Sequence, residues 1–323
     1  MAKVIGKDFP QIPWEEPKNP NDIIWRYSCN PIISRNPVEG VSRIFNSAVV
    51  YHEGKFKGVF RGDTNTTIPN LYYGESDDGI HFTFNKEPIK FYLENGEVYK
   101  FEYGYDPRVV EIDGIFYIMW CDGKNGGPLI CLAKTQDFKK YTIVSWPFLP
   151  CNRNGVLFPR KFGDDYLMLS RPSDNGHTAF GDIYISRSND LKRWGDHELL
   201  MKPTYNWWEG LKVGAGSAPI ETDEGWIMFY HGVTRTCNGY VYSIGAALLD
   251  RDNPTKIIKR LPGFIMTPEK DYETTGFVPN VLFPVSSFVD AKTGRIAIYY
   301  GAADTYTALA FTTVDKLMKL FKE

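Results

Sequence analysis

One pattern recurs five times along the 323 residues of this chain, at intervals of about sixty residues. Each copy has a turn containing Gly or Asp, followed by a run rich in aromatic and β-branched residues. The copies lie at 52–60, 112–120, 162–170, 223–231 and 292–300. Such turns ahead of apolar runs are typical of β-hairpins. The repeat constrains the fold strongly, because a unit of this size cannot bury both faces of its own sheet.

Each unit closes with a second turn that contains an aspartate. We take as markers Asp78, Asp137, Asp190, Asp252 and Asp315, which are separated by 59, 53, 62 and 63 residues. About four strand-like runs fall in each interval, and stacking such units around an axis buries their faces. A two-domain β-sandwich has no reason to repeat near this length, and a β-helix repeats at a shorter one. The sequence therefore predicts a five-bladed β-propeller.

Composition agrees with an all-β chain. The 8 Trp, 20 Tyr and 21 Phe make up 15% of the residues, and 29 Gly and 21 Pro supply turns. Helical spacing of apolar residues occurs only near 314–321. We therefore predict a single propeller domain over 1–323, with an N-terminal extension (1–42), a C-terminal closure (312–323) and at most a short C-terminal helix.

Several classes of protein are disfavoured by composition. The formal net charge is −2 without long Lys or Arg runs, so we expect no nucleic-acid partner. No apolar stretch reaches the roughly 18 residues of a membrane span, and no signal peptide is visible, which predicts a cytoplasmic protein without a membrane partner. The five cysteines form no C-x-x-C pair, so we expect neither a structural zinc site nor a disulfide framework. No phosphate-binding glycine motif for nucleotides is present.

Propeller geometry predicts that equivalent positions of the five units meet around the axis. One such ring follows the aromatic strand and contains Arg61, Asp63, Asp122, Arg171, His231 and Asp304. A second ring lies at the start of each unit and contains Asn46, Ser47, Asp106, Arg108, Arg153, Asn154, Lys212 and Asn280. Any one of these is explained equally well by a structural role, in a turn or a hydrogen bond between blades, and by a role in binding. Together, arginines, a lysine and a histidine beside aspartates indicate an anion bound next to a polyol.

The acidic residues favour one acid rather than a pair. Glycoside hydrolysis ordinarily needs two carboxyl groups, whereas the sequence offers one good candidate, Asp106, with Glu209 and Asp304 as weaker partners. Inorganic phosphate is already an anionic nucleophile and needs no general base. One carboxylic acid and one phosphate site therefore match the predicted residues, provided that these residues converge in space.

The ordered motifs FNSAVVYHEGKFKGVFRGD, YGYDPRV, NRNGVLFPRK, LSRPSD, WWEGLKVGAG, GWIMFYHGV, GAALLDRDNP, VPNVLFP and YYGAADT extend from Arg43 to Asp304. This set resembles glycoside hydrolase family 130, the inverting β-mannoside phosphorylases built on five-bladed propellers. The resemblance implies that Asp106 is the general acid and acts through the mannosyl 3-hydroxyl. It implies phosphate binding by Arg153, Arg171, Lys212 and His231. It implies mannose binding by Asn46, Ser47, Arg61, Asp63 and Asp304, and an acceptor subsite formed by Tyr105, His177, Tyr240 and Phe283.

The reaction implied is cleavage of a β-1,4-mannoside by inorganic phosphate, giving α-mannose 1-phosphate. The compact chain resembles the branch that acts on mannosyl-N-acetylglucosamine and mannooligosaccharides. Phosphate is then a co-substrate, no cofactor or metal is expected, and a homo-oligomer is compatible with the sequence. The alternatives are a β-mannoside hydrolase on the same fold and a non-catalytic carbohydrate-binding propeller, with a furanosidase ranked below them.

Overall fold

The computed structural model describes residues 2–124, 127–174, 176, 180–205, 207–237 and 239–323. Its strands form five separate sheets, one for each sequence repeat. The first sheet consists of β2 (Val41–His52), β3 (Lys55–Thr64), β4 (Pro69–Ser76) and β5 (Thr83–Phe84). The second consists of β6 (Phe91–Tyr92), β7 (Gly104–Ile112), β8 (Ile115–Asp122), β9 (Leu129–Thr135) and β10 (Tyr141–Ser145).

The third and fourth sheets each carry one short additional strand. The third consists of β11 (Asn152–Leu157), β12 (Tyr166–Asp174), β13 (Phe180–Gly181), β14 (Ile183–Ser188) and β15 (Gly195–Met201). The fourth consists of β16 (Lys212–Ala215), β17 (Ile220–Thr222), β18 (Gly225–Thr236), β19 (Gly239–Leu249) and β20 (Ile257–Arg260).

The fifth sheet joins the two ends of the chain. It consists of β21 (Leu282–Val289), β22 (Arg295–Ala302), β23 (Tyr306–Thr313) and, as its outermost strand, β1 (Trp25–Arg26). Because β1 precedes the first sheet in sequence and pairs with β23 of the last, this pairing closes the ring. We call the five sheets blades 1 to 5. The prediction of an all-β, five-bladed propeller is confirmed.

The innermost strands of the blades are β2, β7, β11, β16 and β21. Around a central axis, β21 contacts β2, β2 contacts β7, β7 contacts β11 and β11 contacts β16, while blade 4 meets β21 through β18 and β19. Apolar clusters fill the spaces between adjacent blades, and buried rings such as Trp120, Trp226 and Phe56 belong to them. The aromatic excess of the sequence therefore packs blade against blade.

The structure contains two short helices. Helix α2 (Val314–Lys322) follows β23, begins where the Thr313 hydroxyl accepts a bond from the Lys316 amide, and packs Leu317 and Phe321 inward. This is the predicted C-terminal helix. The four-residue helix α1 (Asp271–Thr274) precedes β21 and was not predicted.

The closing turns follow one scheme in the first four blades. In each, an aspartate Oδ1 accepts bonds from the backbone amides two and three residues later. The acceptors are Asp78, Asp137, Asp190 and Asp250. Asp250 thus takes the place that we gave to Asp252, because the turn uses the first of two nearby aspartates.

Candidate active site

The inner strands of blades 1, 2 and 3 are each interrupted at the same place. The register of pairing shifts around Asn46, Asp106 and Asn154, and these residues have φ angles of 45°, 53° and 55°. Asn and Asp tolerate this left-handed conformation better than most residues, and such bulges redirect side chains. One interruption per blade therefore places three polar side chains around one end of the axis.

A ring of residues on the second strands faces these bulges. The register places Arg61, Cys121, Arg171, His231 and Gly301 at matching positions of the five blades. Gly301 is required in this ring because an added Cβ would collide with the Asn46 amide.

Asp122, which we predicted to be in this ring, lies one residue beyond it. Its Oδ2 instead accepts bonds from the Tyr99 hydroxyl and the Trp146 indole, both at 2.8 Å. Successive residues of a strand point to opposite faces, so this single step removes Asp122 from the ring and leaves Cys121 there.

The first group at the axis is anionic, and we call Asp63, Asp106 and Asp304 the carboxylate cluster. Arg61 lies among them, 2.8 Å from Asp106 Oδ1 and 3.0 Å from Asp63 Oδ1. Desolvation alone would lower the pKa of Arg61, but the charges of Asp106 and Asp63 raise it above its ordinary value. Burial, with Asp106 and Asp63 nearby, raises the pKa of Asp304 to about 7. Burial and the neighbouring carboxylates therefore favour the protonated form of Asp304.

Asp106 is held from two sides. Its Oδ1 accepts bonds from Arg61 Nη1 at 2.8 Å and from Asn46 Nδ2 at 2.9 Å, and its side chain is 13% exposed. Its backbone carbonyl accepts a bond from Arg108 Nη1 at 2.7 Å. The same guanidinium donates to the carbonyls of Ala215 and Gly216, beside the inner strand of blade 4. Arg108 therefore fixes the bulge at Asp106 by linking two blades across the axis.

The second group is cationic, and we call Arg153, Arg171, Lys212 and His231 the cation cluster. Arg171 Nη1 donates to His231 Nε2 at 2.9 Å. Because a guanidinium can only donate, Nε2 is the unprotonated nitrogen and Nδ1 carries the proton. Both His231 Nδ1 and Arg171 Nε are buried donors without a partner among the described residues. Unpaired buried donors are costly, and an anion would satisfy them.

Burial and the neighbouring arginines oppose the ionisation of Lys212 and His231. Burial and the charges of Arg171 and Arg153 lower the pKa of Lys212 to about 8. Burial and Arg171 also place the pKa of His231 well below its ordinary value. Within the described part of the chain, no carboxylate lies within ion-pair distance of Arg153, Arg171 or Lys212. The cluster is therefore a pocket of positive charge without its own counter-ion.

The predicted acceptor-side aromatics have different surroundings. Tyr240 is 39% exposed, and its ring lies 5.3 Å from the Lys212 ammonium. Tyr105 stacks on Tyr103 and lies under the Arg61 guanidinium. Phe283 is 6% exposed and packs its ring 4.4 Å from that of His231.

Ser47 and His177 were also predicted as site residues. Ser47 is buried, and its hydroxyl donates to the carbonyl of Phe45. His177 lies outside the described residues.

Arg43 was not predicted as a site residue, although it lies beside the carboxylate cluster. It is 6% exposed, its Nη2 donates to Asp63 Oδ2 at 3.2 Å, and Phe277 covers its guanidinium at 3.9 Å. The only sequence signal was its place three residues before Asn46 on the same strand. Cys121 was not predicted as a ring residue either, because the adjacent Asp122 is a carboxylate and was chosen in its place.

Comparison with known proteins identifies the family. Residues 6–323 match the family described as beta-1,4-mannooligosaccharide phosphorylase, glycoside hydrolase family 130. The chain belongs to this family. A beta-1,4-mannooligosaccharide phosphorylase of Ruminococcus albus is 50% identical over 99% of this chain and 97% of its own length. A 4-O-beta-D-mannosyl-D-glucose phosphorylase of Bacteroides fragilis is 26% identical over 92% of this chain and 80% of its own length.

A solved structure supports the same assignment of glycoside hydrolase family 130. The beta-1,2-mannobiose phosphorylase of Listeria innocua, in complex with beta-1,2-mannobiose, superposes with a TM-score of 0.82 at 26% identity. The superposition covers 93% of this chain and 99% of the Listeria chain. The predicted family and the predicted class of enzyme, a mannoside phosphorylase, are confirmed.

Two further features concern the described residues of this family member. They contain no helix that is both long and apolar enough to cross a bilayer. They also contain no group of three or more His, Cys, Asp or Glu side chains arranged to hold a metal ion.

Proposed function

We propose that the protein cleaves β-1,4-linked mannooligosaccharides with inorganic phosphate, giving α-D-mannose 1-phosphate and a shortened sugar. The observation that carries this proposal is the cation cluster, which has no ion-paired carboxylate among the described residues and adjoins a carboxylate cluster. Phosphorolysis needs an anion site and an acid at neighbouring positions, and these two clusters supply them.

Phosphate is the anion that fits the cation cluster. Arg153 and Arg171 offer planar donor pairs that match two phosphate oxygens, and Lys212 adds a point charge. The proton on His231 Nδ1 adds a neutral donor. Because the pKa of Lys212 is only about 8 in the empty site, a bound dianion would hold the ammonium in its charged form.

We assign the role of general acid to Asp106. Both protein bonds to its carboxylate go to Oδ1, which leaves Oδ2 for the proton that moves to the leaving oxygen. The family resemblance routes this proton through the mannosyl 3-hydroxyl. Asp304 supports the role, because its raised pKa of about 7 favours a protonated carboxyl beside Asp106 near neutral pH.

The mannosyl unit would lie between the clusters, with phosphate and Asp106 on opposite sides of its anomeric carbon. Attack by phosphate on one face while the leaving oxygen departs from the other inverts the β-linkage to the α-phosphate. We propose that Asn46, Ser47, Arg61, Asp63 and Asp304 hold this unit and that Tyr105, His177, Tyr240 and Phe283 form the acceptor subsite. A cytoplasmic location and a homo-oligomer stay predictions.

The test is incubation of the protein with β-1,4-mannobiose, with and without inorganic phosphate. We expect mannose 1-phosphate and mannose to form only when phosphate is present, with the α-anomer seen first by ³¹P and ¹H NMR. Equal sugar release without phosphate would indicate a hydrolase, and binding without turnover would indicate a carbohydrate-binding propeller. Parallel assays with mannosyl-N-acetylglucosamine and mannosylglucose would establish the acceptor.

A further inference from the structure

A second cavity lies on blade 3, and we call it the lateral pocket. It has a volume of about 490 Å³ and is lined by the segment 146–152, by side chains of β12 and β14, and by Trp194 and His197. The volume is typical of sites for small ligands. Asn152 lines this pocket whereas Arg153 belongs to the cation cluster, and adjacent strand residues point to opposite faces. The lateral pocket is therefore separate from the phosphate site.

Polar side chains from successive strands contribute to the lining of the lateral pocket. Asn152 Nδ2 donates to Ser170 Oγ at 3.4 Å, and Ser186 Oγ lies 2.8 Å from His197 Nδ1. Asn152 is 5% exposed, and its Oδ1 is buried without a partner among the described residues. If the amide were turned over, its nitrogen would be left open instead. Either orientation therefore leaves one buried polar atom of the amide unpaired among the described residues.

Aromatic side chains are interleaved with these polar groups, since Tyr184 is the strand partner of Ser170 and the Phe148 ring lies 5.8 Å from that of His197. Trp146, Phe148, Trp194 and Tyr184 are all half-buried. The Trp146 and Trp194 indole N–H groups donate inward, to Asp122 and to the Leu191 carbonyl. The Lys124 ammonium lies 3.3 Å from the centroid of the Trp146 ring, so the apolar ring surface comes mainly from Trp194 and from Phe148, 5.8 Å away from it.

The described lining contains no Asp, Glu, Lys or Arg. A charged ligand would find no counter-ion there, whereas the cation cluster shows how this chain binds an anion. Aromatic faces beside neutral hydroxyl and amide groups suit a pyranose ring, which has apolar faces and a hydroxylated edge.

We propose that the lateral pocket is a second carbohydrate-binding site, which holds a neutral pyranose unit of an oligosaccharide without cleaving it. The choice of β-1,4-mannooligosaccharides as its ligand rests on the proposed function, whereas the pocket's chemistry does not. Such a site would keep longer substrates on the enzyme between successive phosphorolysis events.

The exposed thiol of Cys151 lines the lateral pocket and provides a direct probe. The protein, free of phosphate, is treated with a maleimide in the presence of β-1,4-mannotriose, and each cysteine is followed by peptide mass. At a sugar concentration ten times its dissociation constant, we expect alkylation of Cys151 to slow about tenfold. Alkylation of Cys29, which is also exposed, should not change. Unchanged alkylation of Cys151 would overturn the proposal.

Variants assign the protection to this pocket. Trp194→Ala should abolish the protection of Cys151, and Trp207→Ala, a control for an exposed tryptophan of the loop before β16, should retain it. Should Trp194→Ala not fold, His197→Ala at the exposed edge takes its place. Phosphate-dependent cleavage of mannobiose should be unchanged in all three, so failure of the proposed function is recognised separately.

Retained protection in Trp194→Ala and His197→Ala would place the sugar elsewhere and overturn the proposal. In a different outcome, Cys151 would already be protected before any sugar is added. Trp194→Ala would then lose this protection, and the molecular mass of the protein in solution would fall. This outcome would show that a second copy of the chain covers the pocket, which also overturns the proposal.

Discussion

The carboxylate cluster and the cation cluster lie at the same end of one axis but differ in how their charges are balanced. Arg61 and Arg43 are ion-paired within the carboxylate cluster, whereas the arginines and lysine of the cation cluster contact no carboxylate within ion-pair distance among the described residues. Accordingly, the pKa of Arg61 is raised and that of Lys212 is lowered. The carboxylate cluster contains arginines as counter-ions, whereas the cation cluster has no carboxylate counter-ion among the described residues.

This difference assigns separate tasks to the two clusters. An internally balanced cluster can hold Asp106 in a fixed geometry before substrate arrives, which favours proton transfer. An unbalanced cluster pays a desolvation cost in the empty enzyme, which a bound anion relieves. Substitutions in the carboxylate cluster should therefore affect kcat and sugar binding, and substitutions in the cation cluster should affect phosphate binding.

The largest effect is expected for Asp106→Asn. The amide keeps the shape of the side chain but cannot supply the proton, so kcat should fall by about 10²–10⁴-fold. Phosphate binding, measured by calorimetry, should be nearly unchanged. Asp113→Asn, an exposed turn residue of the same blade with a similar φ angle, is the matched control. Near-normal turnover in Asp106→Asn would mean that another group is the acid.

Arg171→Met should mainly weaken phosphate binding. Loss of hydrogen bonds from a charged group costs about 1.5–3 kcal/mol, which corresponds to an increase of about 10–150-fold in KM for phosphate. The KM for mannobiose should change little. Arg193→Met, at an exposed turn of the same blade, controls for loss of a positive charge. Equal weakening of sugar and phosphate would contradict the division of tasks.

The pH dependence of phosphate binding tests Lys212. Its ammonium must be charged to attract phosphate, and with a pKa of about 8 in the empty site it loses its proton above that pH. The KM for phosphate should therefore rise toward about tenfold per pH unit above pH 8, until the pKa of the complex is reached. Lys212→Arg stays charged and should remove this rise. A flat profile in the unmodified enzyme would show that Lys212 does not contact phosphate.

The smallest effect is expected for Arg43→Met. Asp63 would lose one of its two arginine partners, at a cost of about 1 kcal/mol, or about fivefold in the KM for mannobiose. Because Arg43 lowers the pKa of Asp304, its loss should also shift the pH profile of kcat/KM upward. Arg43→Lys should restore most of the KM for mannobiose and most of the original pH profile. A change in melting temperature alone, with an unaltered pH profile, would limit Arg43 to a structural role.

The repeat carried most of the information about the fold. Turn residues and aromatic runs act locally, so their fivefold recurrence was enough to predict five blades, and the helical spacing of apolar residues near 314–321 predicted α2. The two residues of β1 were not recognised as a strand, because their pairing with β23 depends on a contact between distant parts of the chain. Helix α1 has only four residues, which is too short for a helical spacing of apolar residues to be recognised in the sequence.

The sequence also determined which chemical groups are available, including the carboxylates, arginines and lysine of the two clusters. Tertiary structure decided which of them face the axis, as Asp122 and Cys121 show, because a shift of one residue on a strand reverses the direction of a side chain. It also decided which charges are paired. Arg61 meets Asp106 across 45 residues of sequence and Arg171 meets His231 across 60. Pairing depends on distances between blades, and only the closed ring sets those distances.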